Sequence, residues 1–262
     1  MSASPRRTMR SNRLGELLAA GELATNAWVS TGDPYAAEVL GHCGFDSVTI
    51  DLQHGMFGIE SAIRCLQAVS ATPSVPIVRC RSNDAADIGH LLDAGAYGVI
   101  CPNVDTVEAA ERFVAACRYP PAGRRSYGPS RGLLYGGVDY AVHADDTVLA
   151  IAMIESRAAV EHLDAILAVG GLDAIYVGPN DLSVDAGWGP LAGDITDRLA
   201  ERLQHISGRA SATGMPVGIF ASTVEQGMQF DSWGYRLITL GNDVGLLRAE
   251  SARRLAALRQ AH

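Results

Sequence analysis

The sequence predicts a single (β/α)8 barrel, and three observations point to it. The chain has 262 residues, the length of one such barrel. Short apolar, β-rich runs recur along it, and longer stretches with helical spacing lie between them. Runs of this kind are buried on both faces, which argues for a parallel sheet wrapped in helices. A doubly wound sheet is the alternative, but no Gly-x-Gly-x-x-Gly follows any of the runs.

In chain order, residues 1–23 form an N-terminal extension and helix. The strand runs follow at 24–30 (ATNAWVS), 47–52 (SVTIDL), 76–80 (PIVRC) and 97–101 (YGVIC), then at 148–154 (VLAIAMI), 174–177 (AIYV), 216–220 (PVGIF) and 236–240 (RLITL). Helical spacing occupies 34–43, 59–70, 84–94, 106–117, 157–169 and 194–213, and a C-terminal helix over 248–262 closes the chain. No linker, low-complexity tract or charge block divides residues 1–262, so one domain is expected.

Composition excludes several chemistries. Hydrophobic residues make up 48% and charged residues 19%, the balance of a folded globular chain. A net charge of -8 lacks the electrostatic footprint of general nucleic-acid binding. All 21 basic residues are Arg, and Lys is absent. Schiff-base aldolases, pyridoxal-phosphate enzymes and Walker-A nucleotide hydrolases all need a Lys amine, so they are excluded.

Cys43, Cys65, Cys80, Cys101 and Cys117 include no Cys-x-x-Cys pair, and each lies within or beside an apolar run. They are expected as buried reduced thiols, which suits a reducing cytoplasm. No signal-peptide core and no run of roughly 18 apolar residues is present, so neither export nor a membrane is expected.

Residues 118–146 (RYPPAGRRSYGPSRGLLYGGVDYAVHADD) break the rhythm. Long loops inside compact domains tend to be functional or disordered. Here Arg118, Arg124, Arg125 and Arg131 suggest anion handling or a subunit contact, against the plain alternative of a solvated loop.

In a barrel the chemistry sits where strands end. The second strand ends in Asp51-Leu52-Gln53-His54, the third in Arg79-Cys80-Arg81, and the fifth in Glu155-Ser156-Arg157. The sixth runs into Gly178-Pro179-Asn180-Asp181, and the eighth ends in Gly241-Asn242-Asp243. Glu155 and Asp181 lie one βα unit apart, which offers two hard oxygen donors to Mg²⁺, Mn²⁺ or a similar ion. The alternative is that each caps the helix that follows. His54 is a general-base candidate because imidazole titrates near neutral pH, although a structural histidine reads equally from the bare sequence. His42, His90, His143, His162, His205 and His262 fall on helices, the irregular segment or the terminus and are expected to be structural.

Together these pieces resemble the HpcH/HpaI family of metal-dependent (class II) pyruvate aldolases, such as those acting on 4-hydroxy-2-oxoheptanedioate and 2-dehydro-3-deoxy-sugar acids. The segments carrying the resemblance are FDSVTIDLQHG, PIVRC, LLDAGAYGVICPNVDTVEAA, CRYPPAGRRSYGPS, AIAMIES and DAIYVGPNDLS. The resemblance implies that Glu155 and Asp181 hold a divalent metal (Mg²⁺, Mn²⁺ or Co²⁺) and that Asp51 supports the metal site. Arg79 is implied to face the substrate's keto oxygen, and His54 to move protons with Asp93 as its acidic partner. Ser130 and Asn242 are implied in the substrate pocket, and Gly178, Pro179 and Asn180 around the carboxylate of pyruvate. Gln53 stands where many members have Glu, and Asn180 where a small apolar residue is commoner.

The implied reaction is enolate formation from pyruvate or a related 2-oxo acid and its reversible addition to an aldehyde. An enolate needs an electron sink, and without Lys that sink is a Lewis-acid metal. Oxaloacetate decarboxylation or phosphoenolpyruvate-type chemistry on the same residues is the rival activity, and a keto-acid-binding barrel without catalysis is a third reading. No nucleotide cofactor is expected. A homohexamer built as a trimer of dimers is implied by the resemblance.

Overall fold

The computed structural model describes residues 9–191 and 195–260. Helix α1 (Arg13–Ala19) leads into β1 (Ala24–Val29), α2 (Pro34–His42), β2 (Ser47–Asp51), α3 (Ile59–Val69), β3 (Val75–Arg79), α4 (Ala85–Asp93) and β4 (Gly98–Cys101). Then come α5 (Val107–Cys117), α6 (Ser130–Gly136), α7 (Tyr140–Thr147), β5 (Leu149–Ile154), α8 (Arg157–Glu161), α9 (Leu163–Leu167) and β6 (Ala174–Val177). The chain ends with α10 (Pro179–Asp185), α11 (Asp197–Ala212), β7 (Val217–Ala221), α12 (Val224–Ser232), β8 (Leu237–Asn242) and α13 (Asp243–Gln260). All eight strands pair in parallel and in sequence order, and β8 returns to β1 to close the barrel. The expected (β/α)8 fold is therefore present.

Side-chain parity explains how this fold arranges its chemistry. Alternate strand residues point to opposite faces. Ala27, Val29, Val48, Ile50, Val78 and Val99 pack outward against the helices, in one hydrophobic layer. Trp28, Ile77, Ile100, Met153 and Tyr176 point inward, in a second layer that Leu14, Leu17 and Leu18 of α1 join. That inner set puts Asp51 and Arg79 on the inside as well, because they share the parity of Thr49 and Ile77. Beneath them lies a polar layer. Asn26 donates to Thr239 at 2.8 Å and accepts from Ser47 and Thr49 at 2.9 and 3.0 Å. The Tyr176 hydroxyl meets Thr239 Oγ1 at 2.6 Å, so these buried groups satisfy one another.

Several local expectations are corrected. The helix expected over 157–169 is two short helices, broken at His162, whose Nδ1 lies 2.9 Å from the Asp105 carbonyl oxygen. Helix α11 begins at Asp197 with Thr196 as its cap, and the expected start at Asp194 lies outside the described residues. So do residues 1–8 of the N-terminal extension and His262 at the other end. Helices α10 and α12 were not anticipated, and α13 starts at Asp243 rather than at 248. Cys43 is exposed at the C-terminal end of α2, whereas the other four cysteines are buried as expected.

Segment 118–146 is not an anion site among its described contacts. Arg118 donates to the carbonyls of Val148 and Gly171 and pairs with Asp173 at 2.5 Å. Arg125, 3% exposed, stacks over Tyr119 and pairs with Asp93 at 2.7 Å. Arg131 donates to the Ala94 carbonyl and to Ser70. These arginines fasten the segment to the barrel through carbonyls, carboxylates and hydroxyls, although the buried Arg125 Nε has no partner. Arg124 alone of the four is exposed.

Candidate active site

At the C-terminal ends of the strands a cavity of about 490 Å³ opens. Trp28, Tyr176 and Phe220 form an aromatic wall, with ring centroids 5.7 and 6.1 Å from Trp28. Asp51, Arg79 and His54 line one side, and the Gly178–Asp181 turn lines the other.

Asp51 organises the first side. It is the register partner of Arg79 across β2 and β3, and accepts from Arg79 Nε at 2.8 Å and Nη2 at 2.6 Å. The Trp28 indole N–H donates to the same carboxylate at 3.1 Å, and the Gln53 and His54 amides donate at 3.1 and 3.3 Å. Burial alone raises this carboxyl's pKa. The Arg79 guanidinium, the indole and the His54 amide outweigh burial and hold it below the usual carboxylate range. Arg79 lies 4.9 Å over the Trp28 ring, which fixes the guanidinium plane. Its Nη1 and one Nη2 proton remain for a ligand.

Glu155 follows β5 on the inward parity and is 4% exposed. Its Oε1 accepts from the Asn103 amide at 2.7 Å, and among the described residues it has no ion-pair partner. Burial raises its pKa. The Asn103 N–H opposes that shift and the charge of Asp181 adds to it. Gly178 makes this approach possible, since a Cβ there would lie 2.8 Å from Glu155 Oε2. Asp181 sits in the first turn of α10, where carboxylates are favoured. Two neighbouring carboxylates, one buried without an ion-pair partner among the described residues, fit a hard divalent cation as their complement. No group of three or more His, Cys, Asp and Glu able to hold a metal occurs among the described residues.

The remaining expected residues divide. Pro179, Asn180 and Asn242 line the cavity with Gly178. The Gly178 N–H donates to the Ile154 carbonyl at 3.3 Å and Pro179 has no N–H, so Asn180 supplies the free amide of that trio. Asn242 accepts from the Gly245 amide at 2.7 Å at the start of α13. Gln53 is half-buried, and its Oε1 has no partner. Asp93 and Ser130 do not reach this cavity within one chain. Asp93 ends α4 ahead of β4, and Ser130 opens α6 ahead of β5, so both belong to the opposite barrel face from His54. Strand-end reading missed Trp28 and Tyr176 because it searched for polar groups. The inward parity of β1 was the available signal.

Comparison with known proteins gives the chain a family. A family described as HpcH/HpaI aldolase/citrate lyase matches residues 25–249. Hydroxypyruvate/pyruvate aldolase of Rhizorhabdus wittichii is 36% identical over 239 residues, which covers 91% of this chain and 95% of that protein. The 5-keto-4-deoxy-D-glucarate aldolase of Shigella dysenteriae is also 36% identical, over 244 residues, or 92% of this chain and 94% of that one. A solved HpcH/HpaI aldolase/citrate lyase family protein from Burkholderia cenocepacia superposes with a TM-score of 0.88 at 30% identity, covering 95% of this chain and 100% of that one.

Proposed function

The chain belongs to the HpcH/HpaI aldolase/citrate lyase family, and on that premise we propose that it is a metal-dependent pyruvate aldolase. It forms the enolate of pyruvate or a related 2-oxo acid and adds it reversibly to an aldehyde. In reverse it cleaves 4-hydroxy-2-oxo acids. The observation that carries this reading is an Asp51-locked Arg79 and Asp181 lining one cavity, with the buried Glu155, which has no ion-pair partner among the described residues, set behind its Gly178 wall.

Glu155 and Asp181 hold the cation, which is Mg²⁺, Mn²⁺ or Co²⁺. When bound it supplies Lewis acidity toward the 2-oxo acid. Arg79 aims its remaining N–H groups at the keto oxygen as negative charge develops there, and Asp51 with Trp28 keeps that fork from turning. His54, anchored through its amide to Asp51, takes the proton from the methyl carbon. The Asn180 amide meets the substrate carboxylate. The chain has no Lys, so no iminium can serve instead.

A homo-oligomer is part of this reading. Helix α13 runs for 18 residues with none buried and exposes Val244, Leu246, Leu247, Leu255 and Leu258. A second copy covers such a face, and a hexamer built from dimers lets Asp93 and Ser130 serve a neighbour's His54 and cavity. A single-domain, cytoplasmic enzyme fits the unpaired cysteines, and no described helix is long and apolar enough to cross a membrane.

Deuterium exchange at the pyruvate methyl group tests the core of this proposal. EDTA should abolish exchange, and Mg²⁺, Mn²⁺ or Co²⁺ should restore it. Undiminished exchange in metal-free protein rejects the mechanism.

A further inference from the structure

We infer that the Tyr176 hydroxyl makes this residue a positioning residue for the reaction: anchored beneath the cavity floor, it sets the Trp28 ring and, through that ring, the Asp51–Arg79 pair. The inference rests on the aldolase reading, in which Arg79 meets the charge that develops on the enolate oxygen. It adds a group that touches no reacting atom.

Tyr176 reaches across the neighbouring strand. Its register partner on β7 is Gly218, and a Cβ there would lie 2.6 Å from Tyr176 Cδ2 and 3.1 Å from Cε2. The missing side chain lets the ring pass over β7 to β8, where the hydroxyl meets Thr239 Oγ1 at 2.6 Å. Thr239 also accepts from the Asn26 side-chain amide of β1 at 2.8 Å, and Asn26 Oδ1 accepts from Ser47 and Thr49 of β2. One network thus ties the hydroxyl to β8, β1 and β2. Asn26 and Thr239 are fully buried and neither is among the residues that line the cavity, so the anchor lies below a floor that the ring helps to form. Burial pushes the phenol pKa up, so the group stays protonated near neutral pH and serves as a fixed link.

The same ring packs against Trp28 with centroids 5.7 Å apart and planes inclined at 36°. That tilt is neither offset-stacked nor edge-to-face, so the ring contact alone does not hold it. The hydroxyl bond does. Trp28 in turn makes both contacts that orient Arg79, through its N–H to Asp51 at 3.1 Å and its ring face 4.9 Å from the guanidinium. An apolar core would pack in this part of the barrel equally well, as Ile77 of β3 and Ile151 of β5 show. The buried hydroxyls and amide gather instead on β1, β2, β6 and β8, around Tyr176 and Trp28. A buried network satisfied in this way selects one side-chain arrangement, and here the arrangement is the one that aims Arg79.

Tyr176→Phe keeps the ring and deletes the anchor. With pyruvate and saturating Mg²⁺, kcat for deuterium exchange at the methyl group should fall about tenfold or more with KM nearly constant, since a displacement of about 1 Å in a catalytic group can cost about 10²-fold. Thr239→Val removes the other half of the bond and should reproduce the loss, which also covers the case of a poorly folding Tyr176→Phe. In a Trp28→Phe background the Tyr176→Phe change should cost far less than in the native one, because its effect runs through the indole. A lower melting temperature with unchanged kcat per folded molecule in both single variants makes Tyr176 a brace only and overturns the inference. An equal, multiplying loss in the Trp28→Phe background overturns it too, because the effect then bypasses Trp28. Wild-type exchange separates the two levels. If the native enzyme exchanges and the single variants match it, the aldolase stands and the positioning role is wrong. If the native enzyme does not exchange, both fall.

Discussion

Asp51 and Arg79 meet across β2 and β3 through two hydrogen bonds, 2.8 and 2.6 Å long, between buried partners. Register places them opposite each other, and parity turns both inward, so the pair follows directly from the strand sequences. Two consequences can be measured. Arg79→Ala should lower kcat by about 10²–10³, the usual cost of removing one preorganised donor to an oxyanion, and Arg79→Lys should recover only part because an ammonium lacks the planar fork. Asp51→Asn leaves a buried guanidinium unpaired and should cost about 3–5 kcal/mol of stability. The Asp51 carboxyl is depressed in the folded state, so its contribution is complete above the unfolded pKa of about 3.9 and is lost as pH falls through the lower folded value. Acid denaturation of wild type and Asp51→Asn should therefore converge only below about pH 4.

For Glu155 the sign is opposite. Its folded pKa is raised, so the metal-free native state binds this proton more tightly than the unfolded chain does, and stability falls as pH rises above about 4.3. Glu155→Gln should melt higher than wild type in EDTA at pH 7 and lose the stabilisation that metal confers. For wild type that stabilisation should reach about 2.7 kcal/mol at a hundredfold excess over Kd. A melting temperature in EDTA that does not change on Glu155→Gln shows that the carboxylate was not an unpaired buried charge.

Trp28→Phe removes the indole N–H while keeping an aromatic face under Arg79. A hydrogen bond to a charged group contributes about 1.5–3 kcal/mol. Kcat should fall about tenfold or more with KM nearly constant, since the substrate does not touch that N–H. A rise in KM alone identifies Trp28 as a wall of the cavity only.

Gly178→Ala should damage metal binding specifically. The added Cβ meets Glu155 Oε2 at 2.8 Å and Glu155 Cβ at 3.0 Å, so the carboxylate must move. Metal affinity measured by calorimetry should drop about 10–100-fold, the scale of lost ligand support, while circular dichroism stays native.

Asp93 and Ser130 give a test of assembly. Chains carrying Asp93→Ala and chains carrying Arg79→Ala should each be inactive alone. Refolded together, mixed oligomers should regain activity, because one interface then joins an intact Arg79 to an intact Asp93. No recovery places Asp93 in a purely structural pair with Arg125, which it holds at 2.7 Å.

Most of the barrel was legible because parallel strands are buried on both faces and read as uninterrupted apolar runs. AIYV at residues 174–177 is strand β6 to the residue. Helix α12 was less legible, since Gly227 interrupts its apolar spacing. Its signal was local instead: Thr223-x-x-Gln226 has the sequence pattern of a capping box, Thr223 Oγ1 accepts from the Gln226 amide at 3.2 Å, and the Ser222 amide, one residue ahead of the cap, donates to Gln226 Oε1 at 2.9 Å. The intramolecular partners of Arg118, Arg125 and Arg131 were not legible, because charge counts say nothing about which carbonyls lie within reach. Trp28 was hidden for the converse reason. An indole in a strand reads as core, and only the position of Asp51 beside it gives the N–H a purpose.

The rim of the cavity between β8 and β1 is fastened by bonds from Ser30 and Thr31 to Asp243, residues 213 and 212 positions apart. During synthesis the first βα corner is made long before its partner leaves the ribosome. For that interval the aromatic wall has no last strand beside it, and that rim of the cavity does not exist. A chain cut anywhere before Asp243 therefore loses this seam entirely, however many of the earlier strands have paired.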